Sequence, residues 1–365
     1  MGKKQIILLA TSDINYDQRL QKVAASLFEQ EYDVLLIGRQ LDSSEPLQNT
    51  SFEQERVVCK FNKGMLFYLE INLRFFLRLR RRKIDLVCAN DPDTLLAAIL
   101  LNSFNERLFV YDSHEYFTEV PELNNKPIKK FIWSMLEKVG VNHASICYTV
   151  NESLAKIFQE KFNKKFLVVQ NLPVLKPSLD LKTKKNYLLY QGALNEGRGL
   201  EVLIRSMLKI DMDLLIIGKG DVEEKLKSLV KKLNLTQKVT FKGMLLPEDL
   251  HQFTAEAKLG INLLESTSLN YYYSLANKYF DYMHAGIPTV NMNFPEYARI
   301  QKMGETGILI NTLDEEEVVL AINSLLTNPM KYNELVRNCK SLAPQFTWEN
   351  EEKKLVGIYS KLLMR

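Results

Sequence analysis

The sequence has no apolar run that reaches the roughly 18 residues of a membrane-spanning helix, so no such span is expected. Its four cysteines, Cys59, Cys88, Cys147 and Cys339, stand too far apart for a metal knuckle or a redox pair. Three of them lie in or beside apolar segments, as core thiols do, which fits a reducing cytoplasm. The net charge of +4 is too mild to imply nucleic acid, and no nucleic-acid motif is present. No repeat period and no low-complexity tract occurs, which excludes a solenoid and a disordered chain. The start "MGKKQIILLATSD" has the basic tip and short apolar run of a signal peptide. However, Asp13, Asp17 and Arg19 stand where a small-residue cleavage site belongs. A buried first strand is the better reading.

Two motif families are also incomplete. In "IIGKGDVEEKL" Gly218 and Gly220 follow a strand, but Glu223 occupies the place of the third glycine of a dinucleotide turn. This leaves two readings, a tight strand-to-helix turn or a turn that lets a ligand approach the backbone. In "SHEYFTEV" no second histidine follows four residues after His114, so the segment is not a zinc motif.

What is present is alternation. Apolar runs at 5–11, 33–38, 85–90, 107–113, 144–150 and 166–171 are separated by helical patterns. Fully apolar strands between helices predict a parallel sheet covered on both faces. Proline, lysine and no periodicity mark 173–186 as a linker. The alternation then resumes with strands predicted at 187–194, 213–220, 239–245, 259–265, 288–293 and 307–311, and an amphipathic helix closes the chain at 348–365. The expected architecture is α/β, with two Rossmann-like doubly wound domains, 1–172 and 187–345. In such sheets ligands bind at the carboxyl ends of strands, and a central cleft between two such domains is the default site.

Several residues sit where such a site would be. "YQGALNEGRGLEVLI" ends a strand at Gly192 and opens a helix after Arg198, with glycines for backbone approach and a guanidinium fork for phosphate oxygens. The bland reading of Arg198 is a solvated turn residue. His114 lies at a strand end between Asp112 and Glu115, and either orients a substrate or is satisfied by its neighbouring carboxylate. Asp91-Pro92-Asp93 offers a metal pair, but Asp93 or Thr94 as a helix N-cap is the preferred reading, which leaves Asp91 to line the cleft. Asp17 and Arg19 follow the first strand, where an acceptor contact and a simple helix cap are both open. The segment 71–83 mixes five arginines and a lysine with Phe75, Phe76 and Leu79. It would lie on anionic lipid as a basic, aromatic face, or dock one apolar face on the sheet with its arginines in water.

In this order "DQRLQKVAASL", "YDSHEYF", "GALNEGRGLEVLI", "IIGKGDVEEKL", "FKGMLL" and "NKYFDYMHAGIPTV" resemble the retaining glycosyltransferases of family four, which have the GT-B fold. The resemblance implies a nucleotide-sugar bound mainly to the second domain, and a final helix, 346–365, that joins the first. It places Arg198 where the family has a diphosphate-binding lysine, Met244 near the base and His114 near the transferred sugar. Asp281 matches the second acid of the family's paired-acid motif, the one that holds the ribose. Two positions depart from the pattern. Ala193 stands where the family has an arginine, and Tyr273 stands eight residues before Asp281, where it has the first acid. Lys278, at a helix start with Asn277, would replace the lost positive charge, and Asn270, Ser274 or Glu265 the lost hydroxyl contact.

The expected function is therefore transfer of a sugar from a UDP- or GDP-linked donor to a hydroxyl of a glycan or lipid-linked acceptor, in bacterial surface polysaccharide synthesis. No metal is called for. Gly192, Arg198, Gly218, Met244, Asn270, Ser274, Asn277, Lys278 and Asp281 are read as donor-binding. His114 is read as catalytic, and Asp17, Arg19, Asp91 and Glu115 as acceptor-side. The enzyme is expected in the cytoplasm, at the inner face of the membrane if 71–83 makes a peripheral contact, with no nucleic-acid partner. The alternatives are a nucleotide-sugar epimerase of the same fold and a catalytically weak binding subunit.

Overall fold

The computed structural model describes residues 2–105, 108–175 and 185–364. The chain forms two compact units, residues 1–171 with 349–365, and residues 172–348. Of the linker read at 173–186, residues 176–184 lie outside the described ones.

The first unit is an α/β alternation. In order it runs β1 (Gln5–Leu9), α1 (Gln18–Glu29), β2 (Asp33–Gln40), β3 (Glu53–Val58), α2 (Gly64–Leu79), β4 (Leu86–Asn90), α3 (Leu95–Asn105), β5 (Leu108–Ser113), α4 (Pro127–His143), β6 (Ile146–Thr149), α5 (Glu152–Phe162) and β7 (Phe166–Val168). The strands pair in the order β3-β2-β1-β4-β5-β6-β7, all parallel. Ile6, Ile7, Leu8 and Leu9 of β1 have no exposed surface, as a strand covered on both faces requires.

Strand β3 is the one the apolar runs do not reveal. It is an edge strand, and its sequence EQERVV carries charges that suit an edge. Those charges also meet the segment 71–83. Helix α2 ends at Leu79, Phe75 and Leu79 are core residues, and Arg78 and Arg82 pair with Glu55 of β3. One apolar stripe of the segment thus docks on the core through Phe75 and Leu79, while Phe76 is half-buried.

The second unit repeats the plan. It comprises β8 (Tyr187–Gln191), α6 (Leu200–Ser206), β9 (Asp213–Ile217), α7 (Glu223–Lys232), β10 (Val239–Gly243), α8 (Pro247–Glu256), β11 (Leu259–Asn262), α9 (Leu269–Tyr272), α10 (Asn277–His284), β12 (Thr289–Met292), α11 (Pro295–Gln301), β13 (Gly307–Ile310), α12 (Glu315–Thr327) and α13 (Pro329–Leu342). Its parallel strand order is β10-β9-β8-β11-β12-β13. One large core spans it, from Leu188 and Tyr190 through Tyr279, Phe280 and Tyr297 to Leu335.

Helix α14 (Trp348–Leu363) closes the chain, and its residues from Glu349 onward belong to the first unit. There the Glu351 carboxylate accepts from the Gln170 backbone N–H at 2.9 Å, and Ser360 Oγ lies 3.2 Å from Tyr32 Oη. Among the described residues no helix is long and apolar enough to cross a membrane.

In each sheet the strand order reverses beside the first strand, between β1 and β4 and between β8 and β11. The carboxyl ends there are where doubly wound sheets hold ligands.

Candidate active site

At the carboxyl end of β8 the backbone is drawn tight by glycine. Gly192 has φ +131° and Gly218, after β9, has φ +145°, and a Cβ on Gly218 would lie 1.9 Å from the Gly192 carbonyl oxygen. The Gly218 N–H donates to the Gly243 carbonyl at 2.8 Å, which ties the ends of β9 and β10 together. A Cβ on Gly192 would meet Lys278 Cε and Nζ, both at 3.3 Å, so the absent side chain makes room for the lysine.

Lys278 comes from the first turn of α10. It is buried, and its ammonium stands 3.7 Å from the centre of the Tyr190 ring. Burial, with the Arg198 guanidinium close by, takes that ammonium well below the ordinary lysine range, and Asp281 only partly opposes the shift. Arg198 lies over the Tyr271 ring at 4.8 Å. Its Nε is buried and has no hydrogen-bond partner among the described residues. A buried lysine beside an arginine with an orphan donor forms an arrangement that an anion would satisfy.

The remaining residues read as donor-binding lie on neighbouring elements of the second unit. The Asp281 carboxylate accepts from Gln191 Nε2 at 2.9 Å, and Gln191 Oε1 accepts from Thr254 Oγ1 at 2.7 Å. Asn277 is exposed as the first residue of α10, whose N-cap, Ala276, gives no side-chain cap. Met244 is exposed directly after β10. Asn270 is buried in α9, and the Ser274 hydroxyl donates to the Tyr271 carbonyl at 2.8 Å. Tyr273, in place of the expected acid, sets its ring edge-on to Tyr272 with centroids 5.0 Å apart. The Glu265 backbone N–H donates to the Gly197 carbonyl at 2.8 Å, beside Arg198. Tyr190, Tyr271 and Gln191 were not singled out from the sequence. Their signal was position alone, at a strand end and one helix before Lys278.

The first unit holds a second charged cluster, at the carboxyl ends of β4 and β5. His114 Nε2 lies 3.0 Å from Asp112 Oδ2, and Nδ1 lies 3.3 Å from Asp91 Oδ2. The His114 backbone N–H donates to Asp91 Oδ1 at 2.7 Å. Burial opposes a charge on the imidazole, but the Asp112 and Asp91 carboxylates outweigh it and push its pKa up to about 10. His114 is thus an imidazolium held between carboxylates, a donor and not a base.

Arg19, expected on the acceptor side, is buried and grips both oxygens of Asp112, at 3.0 and 3.1 Å. Asp17 caps α1, accepting from the Leu20 N–H at 3.0 Å. Glu115 is half-buried next to His114, and its carbonyl accepts from Ser113 Oγ at 3.2 Å. The helix cap expected of Asp93 or Thr94 comes from elsewhere. Asn72 of α2 donates to the Asp93 carbonyl and accepts from the Ala97 N–H, at 2.7 and 2.8 Å. The Asp93 carboxyl instead takes the Thr11 hydroxyl, and burial together with Asp91 raises its pKa to about 7.

The sequence pattern described as glycosyl transferases group 1 matches residues 173–342, nearly all of the second unit. Over that span the chain is similar to this family. Its GT-B fold is shared along the whole chain. The sucrose-phosphate synthase of Thermosynechococcus elongatus superposes over 99% of this chain and 100% of that one, with a TM-score of 0.82 at 17% identity. The Anabaena protein HepE, in complex with UDP-glucose, superposes over 98% and 99%, with a TM-score of 0.74 at 16% identity.

Curated relatives match over shorter stretches. An uncharacterized glycosyltransferase of Methanocaldococcus jannaschii is 25% identical over 187 residues, 50% of this chain and 46% of that protein. A chitobiosyldiphosphodolichol beta-mannosyltransferase of Candida albicans is 31% identical over 128 residues, 35% of this chain and 27% of that protein. The chain thus spans less than half the length of these two relatives. In the second unit the Arg198–Lys278 pair lies at the switch between β8 and β11, where doubly wound sheets hold their ligands.

Proposed function

We propose that the chain is a retaining glycosyltransferase that takes a sugar from a nucleoside-diphosphate donor, UDP- or GDP-linked, and transfers it to a hydroxyl of a glycan or lipid-linked acceptor. The observation that carries this reading is the Arg198–Lys278 pair, whose mutual repulsion and burial an incoming diphosphate would relieve. The two side chains supply fixed positive charge where the leaving group develops negative charge, so the reading needs no metal ion. The uncapped start of α10 adds backbone N–H groups on the same side. Asp281, braced by Gln191, takes the ribose hydroxyls.

In the transfer the bond from the sugar's anomeric carbon to the diphosphate breaks and the bond to the acceptor oxygen forms on the same face. The acceptor proton passes to a phosphate oxygen of the leaving group. His114, held protonated with both ring N–H groups given to Asp112 and Asp91, acts in this reading by fixing those two carboxylates at the carboxyl ends of β4 and β5. The UDP-glucose complex of the HepE protein supports a uridine donor, and the dolichol-diphosphate relative supports a lipid-linked acceptor. Bacterial surface polysaccharide assembly, at the inner membrane face, is the setting we infer.

Thermal shift with UDP, GDP and ADP, followed by donor turnover with and without candidate acceptors, tests the reading. Stabilisation by UDP or GDP and acceptor-dependent release of the diphosphate, with the anomeric configuration kept, are expected. Absence of any nucleotide binding at millimolar concentration sinks it. Turnover of the donor sugar without an acceptor would favour the epimerase instead.

A further inference from the structure

Tyr297 of α11 has no exposed surface, and its hydroxyl reaches the segment from which Lys278 projects. The hydroxyl oxygen accepts from the Ala276 backbone N–H at 3.1 Å. Ala276 is the N-cap of α10 and offers the helix start no side-chain cap, so the backbone there is fixed from outside the helix. The hydroxyl's own proton has Asn262 and Ser274 to receive it. Asn262 Oδ1 is buried and has no other donor among the described residues.

These bonds tie the helix start to the sheet. Asn262 ends β11, and its Nδ2 donates to Asn291 Oδ1 of β12 at 3.1 Å. Asn291 Nδ2 in turn donates to Thr289 Oγ1 at 2.6 Å, and all three side chains are buried. A buried polar network of this kind selects one geometry. The Tyr297 ring also packs edge-on against Tyr279 in the first turn of α10, with centroids 5.2 Å apart. Lys278 therefore stands between two holds, Ala276 on the hydroxyl and Tyr279 on the ring. Residues 272–277 are otherwise half-exposed or exposed, so the segment has little packing of its own to keep it in place.

We propose that Tyr297 is a positioning residue of the donor site: its hydroxyl holds the start of α10 against β11, and so holds the Lys278 ammonium where a diphosphate meets it. The inference rests on the reading that Lys278 binds the donor diphosphate.

Titration of UDP and GDP into Tyr297→Phe tests it. The ring stays, so the contact with Tyr279 is kept and only the hydroxyl is lost. Affinity should fall roughly 2- to 12-fold, the range for one hydrogen bond. Tyr332→Phe is the matched control. Tyr332 is also buried, and its hydroxyl donates to the Lys258 carbonyl at 2.9 Å, beside the amino end of β11 and opposite to Asn262. Both variants should lower the melting temperature comparably, but Tyr332→Phe should keep wild-type affinity. In a double-mutant cycle, Tyr297→Phe should cost little further affinity once Lys278→Met has removed the ammonium. Wild-type affinity in Tyr297→Phe overturns the proposal. So does an equal loss in the two tyrosine variants, or a loss that persists in full in the Lys278→Met background. In each of these cases weaker binding by Arg198→Ala leaves the donor reading standing, whereas a wild type that binds neither nucleotide removes both.

Discussion

The Lys278 ammonium lies 3.7 Å from the centre of the Tyr190 ring, in a space that exists because Gly192 has no side chain. The lysine is held there without a full counter-charge. Burial and Arg198 push its pKa well down, and Asp281 offsets only part of that. A bound diphosphate favours the ammonium, so the empty site binds fewer protons than the loaded one.

Nucleotide binding should therefore take up protons at pH values between the lysine's pKa in the empty and in the loaded site. Affinity should weaken as pH rises above the pKa of the empty site. Calorimetric titrations in buffers of different ionisation enthalpy check this, and Lys278→Met should abolish the uptake. The same variant should not lower the stability of the empty protein, because it removes a buried amine that has no full counter-charge there. Weaker binding without lost stability from one substitution would be hard to obtain if Lys278 stood outside the site.

Gly218→Ala tests the backbone of the site. Its new Cβ would fall 1.9 Å from a carbonyl oxygen at φ +145°, so both the space and the conformation forbid it. A loss of about 3 kcal/mol or more is expected in urea denaturation. Gly357→Ala is the control. It lies inside α14, with nothing within 4 Å of the added carbon. A gain of roughly 0.5–1 kcal/mol is expected there from helix propensity.

The His114 cluster predicts a pH dependence of stability. Its folded pKa, about 10, is raised above the ordinary histidine value. The stabilisation is therefore complete below the unfolded pKa of about 6.5 and is lost as pH climbs through the folded value. The difference in melting temperature between wild type and His114→Gln should be largest in mild acid and shrink toward pH 10. Transfer should show no titration near the free imidazole value, because His114 donates and does not accept.

Much of this was legible in the sequence. The strands predicted from apolar runs form both sheets, because a strand buried on two faces cannot hide its composition. Strand β3 was illegible for the opposite reason, since an edge strand with EQERVV has no apolar signature. In the donor site the order of glycine loop, Arg198, Gly218 and Lys278 pointed to one place. The aromatic floors under the two cations did not, because Tyr190 and Tyr271 read as ordinary core residues. Arg19 reads differently in the sequence and in the fold. An arginine just after a strand suggests a ligand contact, but only the fold reveals Asp112 across the sheet to receive it. The same holds for Asn72, which caps α3 from a different helix.

In the proposed site Arg198 and Lys278 hold the diphosphate of a nucleotide donor. Titration of UDP, or of GDP if that is the nucleotide bound, into wild type and Arg198→Ala tests it most directly. A charge-assisted contact is worth about 1.5–3 kcal/mol, so affinity should fall roughly 10- to 150-fold with the melting temperature of the empty protein not lowered. Equal affinity in the two proteins would contradict the assignment.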